Sequence, residues 1–141
     1  MLNVVGEKVM TMGNVMVIHS KLIPPIPQST YMRRSSFNMK MNKALDYKLT
    51  LIHSGPGYGK SLGLAQFFRD QNGLYSWYTV TEEDDDIIPF LTYLIASVRR
   101  VIPSFGTSIE HVITPSIFVS DEETQQWSAL FINELCVFTD S

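Results

Sequence analysis

The sequence has little of what marks several common classes of protein. Cys136 is the only cysteine among the 141 residues, which excludes a disulfide scaffold and a cysteine-based zinc site. Basic residues are in the minority, with eleven Lys and Arg against fourteen Asp and Glu, so a generic polyanion binder is not expected. No apolar run approaches the roughly 18 residues of a membrane-spanning helix, and Glu7 and Lys8 interrupt the apolar N-terminus that a secretory signal needs. These shortages predict a cytoplasmic chain with no membrane partner.

What the sequence does have is a core-forming composition and an uneven distribution of charge. Apolar residues make up 45% of the chain, which is enough for one packed domain. Residues 1–43 hold six basic residues and one acid, whereas residues 74–141 hold two basic residues and eleven acids. Two interpretations are open on charge alone: a phosphate ligand near the basic front, or two surfaces that are solvated differently.

Hydrophobic periodicity predicts that strands and helices alternate after residue 45. Short β-favouring apolar runs predict strands at 49–53 and 74–80. Apolar residues at helical spacing predict helices at 61–69, 87–102 and 120–138, and a weaker one at 31–45. Ser120 and Glu123 have the spacing of a capping box at the start of the last helix. This alternation predicts an α/β fold, with a P-loop NTPase-type parallel sheet and flanking helices.

The predicted sheet and the N-terminal residues set the expected domain organisation. Two strands are fewer than an open sheet of this kind contains, so we expect an incomplete N-terminal part of the domain. Residues 1–20 show no regular period and are predicted to be a poorly structured extension. Residues 21–141 are predicted to form the partial P-loop nucleotide-binding domain.

The segment that carries chemistry runs from Ser54 to Ser61. It keeps the P-loop spacing G-x-x-x-x-G-K-[ST], with Ser54 in place of the first glycine. Phosphate oxygens need close backbone N–H donors, which glycines permit, and a helix that begins here directs its positive end at the anion. Lys60 is expected to reach the β- and γ-phosphates, and the Ser61 hydroxyl is expected to ligate Mg²⁺ as the metal-binding residue. The predicted nucleotide-binding residues are Ser54, Gly55, Gly57, Tyr58, Gly59, Lys60, Ser61 and Leu62.

The competing interpretation of this segment is a glycine-rich turn with an incidental lysine. A P-loop hydrolase also needs a carboxylate at the end of a neighbouring apolar strand. The acidic run at residues 82–86 is instead typical of a helix start, and Asp140 follows an apolar run that continues a helical pattern. We therefore expect at most a weak ATPase, with no catalytic residue assigned. A small P-loop kinase or phosphotransferase is the alternative function, although only three arginines follow Lys60.

Further strings of residues point to a family. Ser20-Lys21-Leu22 lies ahead of a proline, Trp77-Tyr78 leads into the acidic run, and Phe90 precedes Tyr93-Leu94-Ile95-Ala96. Together with the core from Gly57 to Ser61, these strings resemble the N-terminal ATP-binding region of large LuxR-type transcriptional regulators. Those regulators belong to the STAND class of signal-transduction ATPases, and the resemblance covers most of the chain.

The resemblance implies a nucleotide-dependent switch that regulates transcription. It implies that the ligand is an adenine nucleotide, ATP or ADP with Mg²⁺, and that the ATP-bound full-length protein self-associates when an inducer is sensed. It implies that DNA is bound only through a C-terminal helix-turn-helix domain, which we expect to lie outside this chain. It also suggests that Arg33 contacts phosphate, with an exposed surface arginine as the alternative.

Overall fold

The computed structural model describes residues 11–12, 15–26, 35–71, 73–113 and 118–139. Helices dominate this part of the chain, and two of them are short 3-10 helices, at His19–Leu22 and Glu82–Asp84. The other elements, in chain order, are β1 (Thr11–Met12), β2 (Val15–Met16), α1 (Ser35–Ala44), α2 (Lys60–Gln71), α3 (Ile87–Arg99), α4 (Thr107–Glu110) and α5 (Asp121–Thr139). Among these residues, no helix is both long enough and apolar enough to cross a membrane.

The chain divides into two compact units. The first, which we call the α3 unit, comprises Met1–Ile23 and Ser76–Ser141, and the second, the α2 unit, comprises Pro24–Tyr75. The predicted division into an extension at 1–20 and a domain at 21–141 stays a prediction, because residues 1–10 and 13–14 lie outside the described part. The segment from Val15 to Leu22 spans that boundary and is described by the structure.

The core of the α3 unit lies where α3, α4 and α5 meet. Ile95, Phe105 and Ile109 are completely buried there, and Trp127 of α5 is buried as well. Partly buried apolar side chains surround them, namely Val98, Ile102, Ile113, Leu130, Phe131 and Leu135. Because burial of a large apolar side chain contributes about 1.5–3 kcal/mol, this cluster is a main source of stability for the unit.

Polar contacts hold the turn between α3 and α4 against this core. The Arg99 guanidinium donates to the Phe105 carbonyl at 2.6 Å and to the Glu110 carboxylate at 2.7 Å. The Gly106 N–H donates to Oε1 of Glu134 on α5 at 2.6 Å. Gly106 itself has a left-handed backbone with φ +82°, so the chain reverses here at a residue that adopts this conformation without strain.

The N-terminal segment packs along α3. Val17 and Leu22 are buried against Tyr93 and Ala96. The Tyr93 hydroxyl accepts a hydrogen bond from the Ile18 N–H at 3.1 Å and donates to the Met16 carbonyl at 3.4 Å. This segment is therefore part of the α3 unit's packing, although it lies far from α3 in sequence.

A buried ion pair joins this segment to the acidic run. The Lys21 ammonium lies 2.8 Å from Oδ1 of Asp84, and the two side chains are only 10% and 1% exposed. The same ammonium donates to Oγ1 of Thr81 at 2.8 Å and lies 4.7 Å from the centre of the Tyr93 ring. Oδ2 of Asp84 accepts from the Thr81 N–H at 2.8 Å, so both oxygens of the carboxylate are paired.

The pKa values in this cluster move in the direction that keeps the pair charged. Burial acts to raise the pKa of Asp84, but the hydrogen bonds from Lys21 and Thr81 outweigh it and leave this pKa below its usual value. Burial acts to lower the pKa of Lys21, but its interactions with Asp84 raise it overall. Burial and the neighbouring Asp84 carboxylate raise the pKa of Tyr78. The Lys21 ammonium and the Asp84 carboxylate are therefore both charged at neutral pH.

Local sequence signals located the helices well. The helices predicted at 61–69, 87–102 and 120–138 are confirmed as α2, α3 and α5. The capping box is confirmed too, because the Ser120 N–H donates to Glu123 at 2.9 Å and the Glu123 N–H donates to Oγ of Ser120 at 3.2 Å. The helix predicted at 31–45 is α1 over Ser35–Ala44, and residues 31–34 lie outside the described part.

The predicted α/β fold with a P-loop NTPase-type parallel sheet is wrong for the described part of the chain, which is mostly helical. The strands found there are β1 and β2, an antiparallel pair of two residues each, and neither 49–53 nor 74–80 belongs to a ladder. The Leu49, Leu51 and Leu74 side chains are 88%, 89% and 90% exposed. Their residue types favour an extended backbone, but a strand exists only where a neighbouring backbone supplies hydrogen bonds.

We expect Gly106→Ala to destabilise the α3 unit. An added Cβ at this position would collide with the side chain of fully buried Ile95, and a positive φ is itself strained for alanine. Together these effects should lower the free energy of unfolding by about 2 kcal/mol or more. Denaturant unfolding measures this. The control is Ser104→Ala, an exposed position in the same turn, which should change the value by less than about 0.5 kcal/mol.

A second prediction concerns the buried ion pair. Asp84→Asn removes the buried counter-charge of Lys21 and leaves only the exposed Glu83 carboxylate, 3.6 Å from the ammonium, so the free energy of unfolding should fall by about 3 kcal/mol at neutral pH. Glu82→Gln removes an exposed carboxylate from the same 3-10 helix and should have an effect below about 0.5 kcal/mol.

The pH dependence separates the ion pair from a simple packing defect. Because the pKa of Asp84 is lowered by folding, its stabilisation is complete above its unfolded pKa of about 4 and is lost as pH falls through the folded value. The difference between wild type and Asp84→Asn should therefore shrink on acidification. A difference that stays constant from neutral to acidic pH contradicts the assignment.

Candidate functional site

The predicted phosphate loop forms the connection into α2. The backbone is irregular from Leu51 to Gly55, turns at Pro56 and Gly57, and enters the helix at Lys60. Gly57 and Gly59 have left-handed φ values of +79° and +71°. The second of these matters most, because the Gly59 carbonyl accepts the Gly63 N–H at 2.9 Å and so begins the helix.

Lys60 is folded back over the loop that precedes it. Its ammonium donates to the Ser54 carbonyl at 2.6 Å and to the Gly55 carbonyl at 2.9 Å. The Tyr58 ring lies against Gly55 on the same loop, since a Cβ on Gly55 would be 3.2 Å from this ring. The loop thus closes around the lysine, and a positive charge sits at its centre.

The start of α2 adds partial positive charge at the same place. The first backbone N–H groups of a helix lack partners within the helix, and the aligned peptide dipoles favour an anion there. The first turn of α2 holds no acidic residue, so no carboxylate of this turn offsets the partial positive charge at the helix start. Ser61 is exposed in this turn and Leu62 is half-buried.

A cavity of about 480 Å³ opens beside the loop within the α2 unit. One side is formed by the loop and by the segment that leads into it, including His53, Ser54 and Lys60. Helix α1 also lines the cavity, with Phe37 and Lys40 among its residues. Such a cavity is within the size range of small-molecule sites, and it combines apolar walls with a few polar groups.

The structure brings together most of the predicted nucleotide-binding residues. The loop residues Ser54, Gly55, Tyr58 and Lys60 contact one another as described, and Ser61 and Leu62 follow in the first turn of α2. Whether they bind nucleotide stays a prediction. Arg33 lies outside the described residues, and so does Asp140.

The acidic run does not form a metal site. Asp84 caps its own 3-10 helix and pairs with Lys21, and the long helix α3 begins only at Ile87. Across the described ranges, no group of three or more His, Cys, Asp or Glu could hold a metal ion. The Ser61 hydroxyl is the one predicted metal ligand whose position the structure describes.

Sequence reasoning missed the contribution of α1 to the cavity. Phe37 and Lys40 precede the motif by more than a dozen residues, and no spacing rule connects them to it. Gly63 offers a signal in retrospect, because a glycine inside a helix often marks a close approach. Here the Phe37 ring occupies the space that a Cβ on Gly63 would need, at 3.3 Å.

Comparison with known proteins supports the predicted resemblance. No family model matches the chain, and no solved structure matches it. The chain is similar to proteins named HTH-type transcriptional regulator MalT. It is 39% identical over 84 residues to those of Yersinia pestis (strain Pestoides F) and Yersinia pseudotuberculosis serotype O:1b (strain IP 31758), and 37% identical over 84 residues to that of Yersinia enterocolitica serotype O:8 / biotype 1B.

The matched region is a large share of this chain but a small share of each relative. The 84 residues make up 60% of this chain but only 9% of each relative. The resemblance to large transcriptional regulators is therefore confirmed as a similarity of a short region.

We expect the loop to depend on the left-handed backbone of Gly59. Gly59→Ala should lower the free energy of unfolding of the α2 unit by about 1–2 kcal/mol, because alanine is strained at φ +71°. The matched control is Gly73→Ala, whose added Cβ meets nothing within 4 Å and should change stability by less than about 0.5 kcal/mol. Denaturant unfolding followed by circular dichroism compares the two, and equal losses contradict the prediction.

Proposed function

We propose that this chain binds an adenine nucleotide, ATP or ADP with Mg²⁺, through the loop from Ser54 to Leu62, as the nucleotide-binding region of a transcriptional regulator. The observation that carries the proposal is the position of Lys60. Its ammonium lies at the start of α2, held by the Ser54 and Gly55 carbonyls, beside a cavity of about 480 Å³. A cation, a helix start and an open space at one place suit an anionic ligand.

The chemistry of binding follows from these contacts. The two carbonyls that now accept from Lys60 are neutral, whereas phosphate oxygens are charged and form stronger hydrogen bonds with an ammonium. A phosphate group in the cavity takes over one or both of these bonds. The backbone N–H groups at the start of α2 supply further hydrogen bonds to this phosphate group.

Magnesium fits this site through the nucleotide rather than through a protein cage. Mg²⁺ prefers oxygen ligands and keeps several waters, and it is commonly held by one or two protein groups together with phosphates. The Ser61 hydroxyl, in the first turn of α2, supplies such a group. Among the described residues that line the cavity there is no carboxylate, which accords with a role in binding rather than in rapid hydrolysis.

The regulatory part of the proposal rests on similarity. The relatives are named HTH-type transcriptional regulators, and the chain matches 9% of their length. We therefore propose a switch in which nucleotide occupancy of this region controls self-association of a larger regulator. DNA contact in that arrangement belongs to a helix-turn-helix domain outside the region described here.

Substitution of the central lysine provides the test. Lys60→Ala removes the cation from the loop, so binding of a fluorescent ATP analogue in the presence of Mg²⁺ should weaken by more than about tenfold, the equivalent of roughly 1.4 kcal/mol. Lys48→Ala removes an exposed lysine of the same unit and serves as the control, with an expected change below about twofold.

The outcomes are read from titrations of the full 141-residue chain. Circular dichroism spectra that match wild type establish that each variant is folded. Equal affinity of wild type and Lys60→Ala, or no binding by wild type at all, overturns the proposal. Rapid phosphate release by wild type favours a phosphotransfer enzyme over a binding switch.

A further inference from the structure

Helix α1 presents one face to the cavity beside the loop. The cavity-lining residues of this helix are Phe37, Lys40, Met41 and Ala44, which we call the α1 wall. Their spacing of three, one and three residues places them on a single side of a helix. The wall is apolar apart from Lys40, so it brings one cation to an otherwise apolar surface.

Two contacts fix the α1 wall relative to the loop. The Phe37 ring packs against Gly63 in the second turn of α2, at the place where a Cβ would stand 3.3 Å from the ring. At the other end of the helices, the Gln71 side-chain amide donates to Oδ1 of Asn42 at 3.0 Å. Since α2 also carries Lys60, these contacts hold the helices that carry Lys40 and Lys60, and both lysines line the same cavity.

Two cations therefore line the cavity. Its lining residues include Lys40 and Lys60, and among those that the structure describes none is acidic. A cleft lined by charges of one sign concentrates oppositely charged ligands. One ammonium and a helix start compensate only part of the charge of a di- or triphosphate, which leaves a function for a second cation.

We propose that Lys40 is a specificity-determining residue that contacts the phosphate chain of a nucleoside di- or triphosphate from the α1 wall. The inference rests on the proposed nucleotide-binding function and names a residue that the P-loop motif does not contain. Lys40 acts through its charge, together with Lys60, and favours ligands with several phosphates over a single phosphate.

The test compares substitutions at two lysines of the same helix. Lys40→Gln removes the charge and keeps most of the stem, and Lys43→Gln makes the identical change at an exposed position of α1 that is not among the cavity-lining residues. At low salt, Lys40→Gln should weaken binding of the fluorescent ATP analogue by about fivefold, and Lys43→Gln by less than about twofold. Lys40→Arg keeps the charge and should stay within about twofold of wild type.

Salt dependence separates a charge contact from a structural effect. The difference between wild type and Lys40→Gln should shrink as salt is raised, because exposed charges are screened. Inorganic phosphate, as a competitor of the analogue, should bind wild type and Lys40→Gln with more similar affinity than ATP does.

The results distinguish this inference from the proposed function. Loss of binding in Lys60→Ala together with equal affinities of Lys40→Gln and Lys43→Gln overturns the assignment of Lys40 alone. A Lys40→Arg variant as weak as Lys40→Gln also overturns it, since charge is then not the cause. Absence of nucleotide binding by wild type overturns both.

Discussion

The buried ion pair between Lys21 and Asp84 is the interaction on which the α3 unit depends. The two residues lie more than sixty positions apart, and both side chains are buried. A buried charge without its counter-charge is strongly destabilising, so the position of each side chain is determined by the other. The pair thereby fixes the N-terminal segment on α3, where Val17, Leu22 and the Tyr93 hydroxyl complete the contact.

In the α2 unit the corresponding constraint is the closed loop around Lys60. The Lys60 ammonium donates hydrogen bonds to two carbonyls of its own loop. Such bonds keep the ammonium at the start of the helix and leave it exchangeable, because neutral acceptors give way to charged ones. Gly63 adds a second constraint, since it admits the Phe37 ring and so packs α1 against α2, where α1 lines the cavity. The binding site we propose is therefore assembled from a local motif and a helix packed against it.

The parts of the structure that could be predicted are those that depend on neighbours in sequence. Helices α3 and α5 and the capping box at Ser120 follow from residues three and four positions apart, and the structure contains them. The parallel sheet depended on backbone partners that no local pattern specifies. The segments that contain Leu49, Leu51 and Leu74 have the composition of buried strands, yet these leucines are exposed. Composition alone does not supply the hydrogen-bonded neighbour that makes a strand.

The loop from Ser54 to Ser61 could be derived from the sequence alone, because glycine conformations, the helix start and the lysine are all local properties of eight adjacent residues. Which side chains line the cavity beside that loop, and which carboxylates are already paired, follows only from tertiary packing within each unit. Lys40 lines the cavity because Phe37 fits against Gly63. The Asp84 carboxylate is held in an ion pair because Lys21 is packed beside it. Contacts of this kind depend on shape and burial between distant segments, and a linear pattern of residue types records neither.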